Sequence, residues 1–117
     1  MRPWSVAVFF GVAVLALAED PKDYPAAEAP HHVGESVTIT DQITGVHQSS
    51  SGHISLDMGS HHSKPPLTVF IPSPVASAFP MAKQFEGRKV HVKGKIMLYG
   101  RDLEIVITDP SQIKDAK

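Results

Sequence analysis

The stretch "RKVHVKGKIMLYGRDLEIVITDP", residues 88–110, constrains this chain most, because its apolar residues recur at every second position. Side chains of a strand alternate between faces with period 2, whereas a helix repeats every 3.6 residues. Val90, Val92, Ile96 and Leu98 therefore point one way, and Lys89, His91, Lys93 and Lys95 point the other. A second run of the same kind begins at Leu103, and Gly100-Arg101-Asp102 between the two has hairpin chemistry. The spacing predicts two strands, over 89–99 and 103–108.

The same period appears earlier in the chain. "ESVTITDQITGVHQ" places Val37, Ile39 and Ile43 on one side of a long strand, with Asp41 and Gly45 marking a bend or bulge. "SSSG" is a turn, "HISLDMGS" puts Ile54, Leu56 and Met58 in phase, and "PLTVFIP" does so for Leu67, Val69 and Ile71 before Pro72 ends the run. The period then changes: Val75, Phe79, Met81 or Ala82, and Phe85 approximate a helical stripe, opened by Ser73-Pro74 and shortened by Pro80. Ile113 is the last apolar residue placed to pack.

Three strands, a short helix and two strands is the element order of the OB-fold, a Greek-key barrel of five strands. The expected class is all-β, with one short helix between strands 3 and 4. The residues carry a closer likeness over about 33–113. "GKIMLYG", "EIVI" and "DPSQI" stand in one block, which resembles the small bacterial OB-fold domains that occur alone behind signal peptides or attached to secreted nucleases. That resemblance implies nucleic-acid binding.

The flanks suggest export. Arg2 precedes an apolar run over 6–15, followed by Ala16-Leu17-Ala18, the pattern of a cleaved signal peptide. The run is shorter than the roughly 20 apolar residues that span a bilayer, so no stable membrane span is expected after cleavage. The expected organisation is a signal peptide over 1–18, a flexible leader rich in Pro, Ala and acid over 19–32, the OB domain over 33–113 and a tail over 114–117. Location is then periplasmic or secreted. Export permits disulfides, yet the chain has no Cys, so packing alone must hold the core.

Whole-molecule charge offers no attraction for polyanions: 11 cations stand against 12 acids, and losing Arg2 makes this 10 against 12, or −2. Any such attraction is local. From Lys83 to Arg101 the chain has Lys83, Arg88, Lys89, Lys93, Lys95 and Arg101 against Glu86 alone, a composition suited to neutralising phosphates. The same lysines also serve solubility and protect strand edges. Single-strand binders add aromatic platforms for base stacking. Phe79 and Phe85 belong to the core stripe, which leaves Tyr99 at the hairpin and Phe70, out of phase with Val69 and Ile71. The candidate nucleic-acid contacts are thus Lys89, Lys93, Lys95, Arg101, Tyr99, Phe70 and His91, and the expected ligand is single-stranded nucleic acid, bound weakly and without sequence preference.

The alternative is a periplasmic module that binds a peptide, a glycan or a protein partner by the same barrel face, with Ser55, Asp57 and Thr68 beside Phe70 making a poor track for a phosphate backbone. Seven histidines add a second signal. His47, His53, His61 and His62 flank the second strand and are the only metal candidates, although their spacing fits no defined ligand motif. Protonation of His47, His53 and His91 would add positive charge below pH ~6.5. No cofactor is expected. Catalysis is not expected either, since Asp41, Asp57, Asp102 and Glu104 show no spacing that gathers carboxylates, and the serines have no nucleophile context.

Overall fold

The computed structural model describes residues 22–59 and 65–116. The segment 1–18 expected to be a signal peptide and two metal candidates, His61 and His62, lie outside the described residues. Seven strands are found: β1 (Asp23–Tyr24), β2 (Ser36–Gln48), β3 (Ile54–Met58), β4 (Leu67–Ile71), β5 (Lys89–Tyr99), β6 (Asp102–Val106) and β7 (Ile113–Asp115). Pairing runs β2-β3-β4-β6-β5 and returns through β2–β5, which closes a barrel of five strands; β1 adds to the outside of β2 and β7 to the outside of β5. β4 and β6 are parallel and the other barrel pairs antiparallel.

Two-residue periodicity sorts the wall as the sequence predicts. Val37, Ile39, Ile43, Leu56, Met58, Leu67, Val69, Ile71, Val90, Val92, Ile96 and Ile105 are all buried, and Ile113 packs beneath them. Each such side chain stabilises the fold by about 1.5–3 kcal/mol relative to exposure. β2 is long enough to serve two partners because it bends where a bulge is expected. Its first half pairs with β5 and its second with β3, with a register shift between Ile43 and Gly45.

Three expectations need correction. The helix after β4 is two 3-10 turns, Ser73–Ala78 and Ala82–Phe85, and no α-helix occurs among the described residues. Pro80 removes a backbone donor and splits the stripe, while Phe79, Ala82 and Phe85 still bury themselves under the barrel. Leu98 is not inward but 56% exposed, since the wall ends at Ile96 and the β5–β6 hairpin runs on past the core. The expected flexible leader is ordered from Lys22 onward. β1 pairs with β2 in parallel, and the 3-10 turn Ala26–His31 buries Ala26 and Ala29 completely. Alanine carries no large apolar side chain and hence no readable period, yet it fits where space is least: a Cβ on Gly59 would stand 2.9 Å from that of Ala26. The Ala26 amide donates to Asp41 Oδ2 at 2.9 Å, tying this turn to the bend of β2.

Candidate binding faces

A ring of five strands has two outer sides, and the candidate residues divide between them. β3 and β4 are bordered by β2 and β6, so β5, across the ring, touches neither. One outer side is the β3–β4–β6 face and the other is the ribbon of odd-numbered residues along β5.

The β3–β4–β6 face is read from register. Gly45, Asp57, Thr68, Glu104 and Met97 form one cross-strand row, and His47, Ser55, Phe70 and Val106 form the next. Gly45 has a structural reason to lack a side chain, for a Cβ there would meet Asp57 Oδ2 at 3.1 Å. That leaves room for His47 Nε2 to reach Asp57 Oδ2 at 2.9 Å. The His53 ring lies 4.9 Å from that of Phe70, tilted by 43°. Burial pushes the Glu104 carboxyl above its ordinary range, neighbouring Asp102 adds to this, and His53 opposes it. At the hairpin end, Pro30, Pro65, Pro66 and Leu103 line a cavity of about 420 Å³ with Asp57, Thr68, Arg101 and Asp102. The face is thus acidic and partly apolar, with Arg101 at its edge.

The ribbon is different. Lys89, His91, Lys93 and Lys95 stand opposite Gln42, Thr40, Thr38 and Ser36 of β2, so every cation or imidazole of β5 is paired with a neutral polar side chain. On the other flank, Lys114 of β7 lies opposite His91. A cation on every second residue repeats at about 6.7 Å, and the row from Lys89 to Tyr99 is about 33 Å long. Lys89 and Lys95 are exposed and Lys93 half-buried. Among the described residues, Arg88 is the only cation of this segment in an ion pair, with Asp115 at 3.0 Å. Met97 and Tyr99 end the row, 38% and 56% exposed, alongside β6.

The "DPSQI" block has a mechanical role beside this ribbon. Asp109 accepts from the Ser111 amide at 2.8 Å, and Gln112 Oε1 accepts from the amides of Asp109 and Thr108. The Ser111 amide first, and then the Ser111 hydroxyl, hold the Asp109 carboxyl below its usual range. Gln112 Nε2 donates to the Lys93 carbonyl at 3.0 Å, which pins the turn against β5 and delivers β7 to its edge.

The structure therefore brings Lys89, His91, Lys93 and Lys95 together and places Tyr99 at the end of their row. It separates Phe70, which lies on the other side with His53 and His47. Arg101 borders the cavity of the acidic face. No group of three or more potential metal ligands is found among the described residues. Sequence reasoning missed Ser36, Thr38 and Thr40, Asp23 beside them, and Lys114. Their link to the ribbon comes only from pairing between distant segments, which no local spacing reveals.

No protein-family model matches this chain, and no curated protein sequence matches it. Solved structures do resemble it. An aspartyl-tRNA synthetase from Entamoeba histolytica aligns with a TM-score of 0.58 at 13% identity, over 94% of this chain and 25% of that one, so the chain spans about a quarter of the synthetase. OBody AM3L15, solved bound to hen egg-white lysozyme, gives 0.61 at 16% identity over 85% of this chain and 98% of that one. A chain of the S. pombe Stn1-ten1 complex gives 0.51 at 19% identity over 75% and 68%. At these identities the likeness is one of fold, and with the closed five-stranded wall it makes this chain an all-β OB-fold barrel.

Proposed function

We propose that this barrel is an exported, non-catalytic binding module for an extended polyanion, single-stranded nucleic acid above all, held along β5 and not across the β3–β4 face. One observation carries the reading: Lys89, Lys93 and Lys95 share one strand face, next to hydroxyl and amide side chains of β2, while Asp57 is on a strand that does not adjoin β5 and Glu104 meets β5 only at Met97, beyond the lysines. Each phosphate neutralised releases counterions, so affinity for a single strand falls with salt with a slope of about −0.7 per contact. Tyr99, at the end of the row, offers a ring to stack on. The aspartyl-tRNA synthetases among the fold neighbours support the ligand class. Export rests on Arg2, the apolar run over 6–15 and Ala16-Leu17-Ala18.

A second reading has its own observation. The cavity of about 420 Å³ between the prolines and Leu103, beside Asp57, suits an apolar anchor of a peptide better than a phosphate chain.

The test is a fluorescence-anisotropy titration with a labelled oligothymidylate at two salt concentrations. K89Q/K93Q/K95Q should bind at least tenfold more weakly at low salt, with a salt slope smaller by about 2. The control D57N/E104Q should bind as well as wild type or slightly better. Unchanged affinity in the triple variant rejects the ribbon, and loss of binding in the control moves the ligand to the β3–β4–β6 face.

A further inference from the structure

The centre of the ribbon holds an arrangement that a plain row of cations does not need. Thr40 Oγ1 donates its proton to Asp23 Oδ1 at 2.6 Å, and the same oxygen lies 2.7 Å from His91 Nδ1. A hydroxyl has one proton to give. With that proton on Asp23, the His91 contact must run the other way, with Nδ1–H donating to Oγ1. The chain is therefore directional: imidazole N–H to hydroxyl, hydroxyl to carboxylate. It fixes the His91 tautomer and leaves Nε2 as the ring nitrogen that gains or loses a proton.

Three segments assemble it. β1 brings Asp23 next to β2 in parallel register, β2 carries Thr40, and β5 places His91 opposite Thr40. The charged groups around the imidazole are Lys89 and Lys93 on its own strand, Lys114 opposite it on β7, and Asp23 at the end of the hydrogen-bond chain. A bound anion favours the charged ring, because a phosphate oxygen accepts from protonated Nε2 while Asp23, through Thr40, stabilises the cation from behind.

We propose that His91, positioned by Thr40 and Asp23, is a proton-linked anion contact at the middle of the ribbon, so that binding a phosphodiester strand takes up a proton at Nε2. This rests on the polyanion reading above and adds a specific consequence: the ligand binds more tightly as pH falls. Thr40 and Asp23 are positioning residues, acting only through the ring. His47 and His53 lie on the β3–β4–β6 face and take no part.

The experiment titrates the oligothymidylate from pH 6 to pH 8 at fixed ionic strength, with proton uptake measured calorimetrically in buffers of different ionisation enthalpy. Wild type should lose about tenfold in affinity over this range and take up a fraction of a proton on binding. H91Q should change in affinity by no more than about twofold between the two pH values, whatever its affinity at pH 8. Thr40→Val should flatten the profile and Thr40→Ser restore it, with the His91 ring nitrogens in NMR reporting protonated Nδ1 in wild type and Thr40→Ser only. A pH-dependent wild type whose slope survives in H91Q overturns the proposal, as does pH-independent binding, and both leave the ribbon itself standing. No binding at either pH overturns the polyanion reading and this inference together.

Discussion

The β3–β4–β6 face and the β5 ribbon are built from the same barrel wall with the same alternation, yet one carries Asp57, Glu104 and two histidines and the other carries lysines paired with hydroxyls. The difference lies in what surrounds them. The first face is curved, with a cavity at one end and side chains that engage each other, His47 with Asp57 and His53 with Phe70. The ribbon is widened by β1 and β7 into a four-stranded surface, and its cations have no acid within ion-pairing distance among the described residues except Asp115 on Arg88. A net charge of −1 conceals this division. An OB barrel thus has more than one place to put a ligand, and fold alone does not say which side is used.

Adding one methyl group on each side tests how rigidly the two are built. Gly59 closes the end of β3 with φ of 95°, where a Cβ would meet Pro66 Cγ at 2.6 Å and Ala26 Cβ at 2.9 Å. Gly94 lies in the middle of the ribbon strand, where a Cβ would meet Ile105 Cγ2 at 2.6 Å without backbone strain. Gly59→Ala should cost about 2–4 kcal/mol, from a left-handed backbone plus overpacking against two rigid neighbours. Gly94→Ala should cost about 1–3 kcal/mol, since the buried Ile105 must turn or shift to clear its Cγ2 but no left-handed backbone is involved. Urea unfolding of both variants checks the order. The reverse ranking would mean that the ribbon, not the cavity end, is the stiffer part.

The aromatic residues sharpen the comparison at a smaller scale. If the ligand follows β5, Tyr99→Ala should weaken oligonucleotide binding by about 1–3 kcal/mol, the range for one stacked base. Phe70→Ala should leave affinity unchanged even if it loosens the β4 surface. Anisotropy titrations of both variants at one salt concentration separate the two. Weaker binding by Phe70→Ala alone would reassign the ligand to the β3–β4–β6 face.

Much of this was legible in the sequence, for a specific reason. Inward residues such as Val37, Leu56, Val69 and Val92 follow from a two-residue period, and that period is a local property. The ladder of Lys89, Lys93 and Lys95 was visible for the same reason. Its relation to Phe70 was not, because which strands adjoin depends on how the ring closes. Leu98 kept the period but had no core to face, as the hairpin extends beyond the barrel. Asp23 and Thr40 are 17 residues apart and Thr40 and His91 51 apart, so their convergence depends on two pairings that no motif encodes. The alanines of the Ala26–His31 turn show the opposite limit, where close fit without bulk leaves no apolar signal.

The smallest predicted effect concerns Glu104, and its sign follows from linkage. Burial, then the charge of Asp102, raise its carboxyl pKa above the ordinary 4.5 of a glutamate. Through the window from about pH 4.5 up to the raised value, the folded protein holds a proton that the unfolded chain has lost, so stability falls as pH rises and the penalty is complete above it. Asp109 has the opposite sign: its lowered carboxyl contributes stability above pH 3.8 that disappears as pH falls through its folded value. Glu104→Gln should therefore leave the melting temperature unchanged near pH 4 and raise it slightly at pH 7, slightly because solvent still reaches the group. If the variant is less stable at pH 7, the attraction of His53 outweighs burial and Asp102. The β3–β4–β6 face would then be electrostatically satisfied, and its contrast with the ribbon would narrow to a difference in shape.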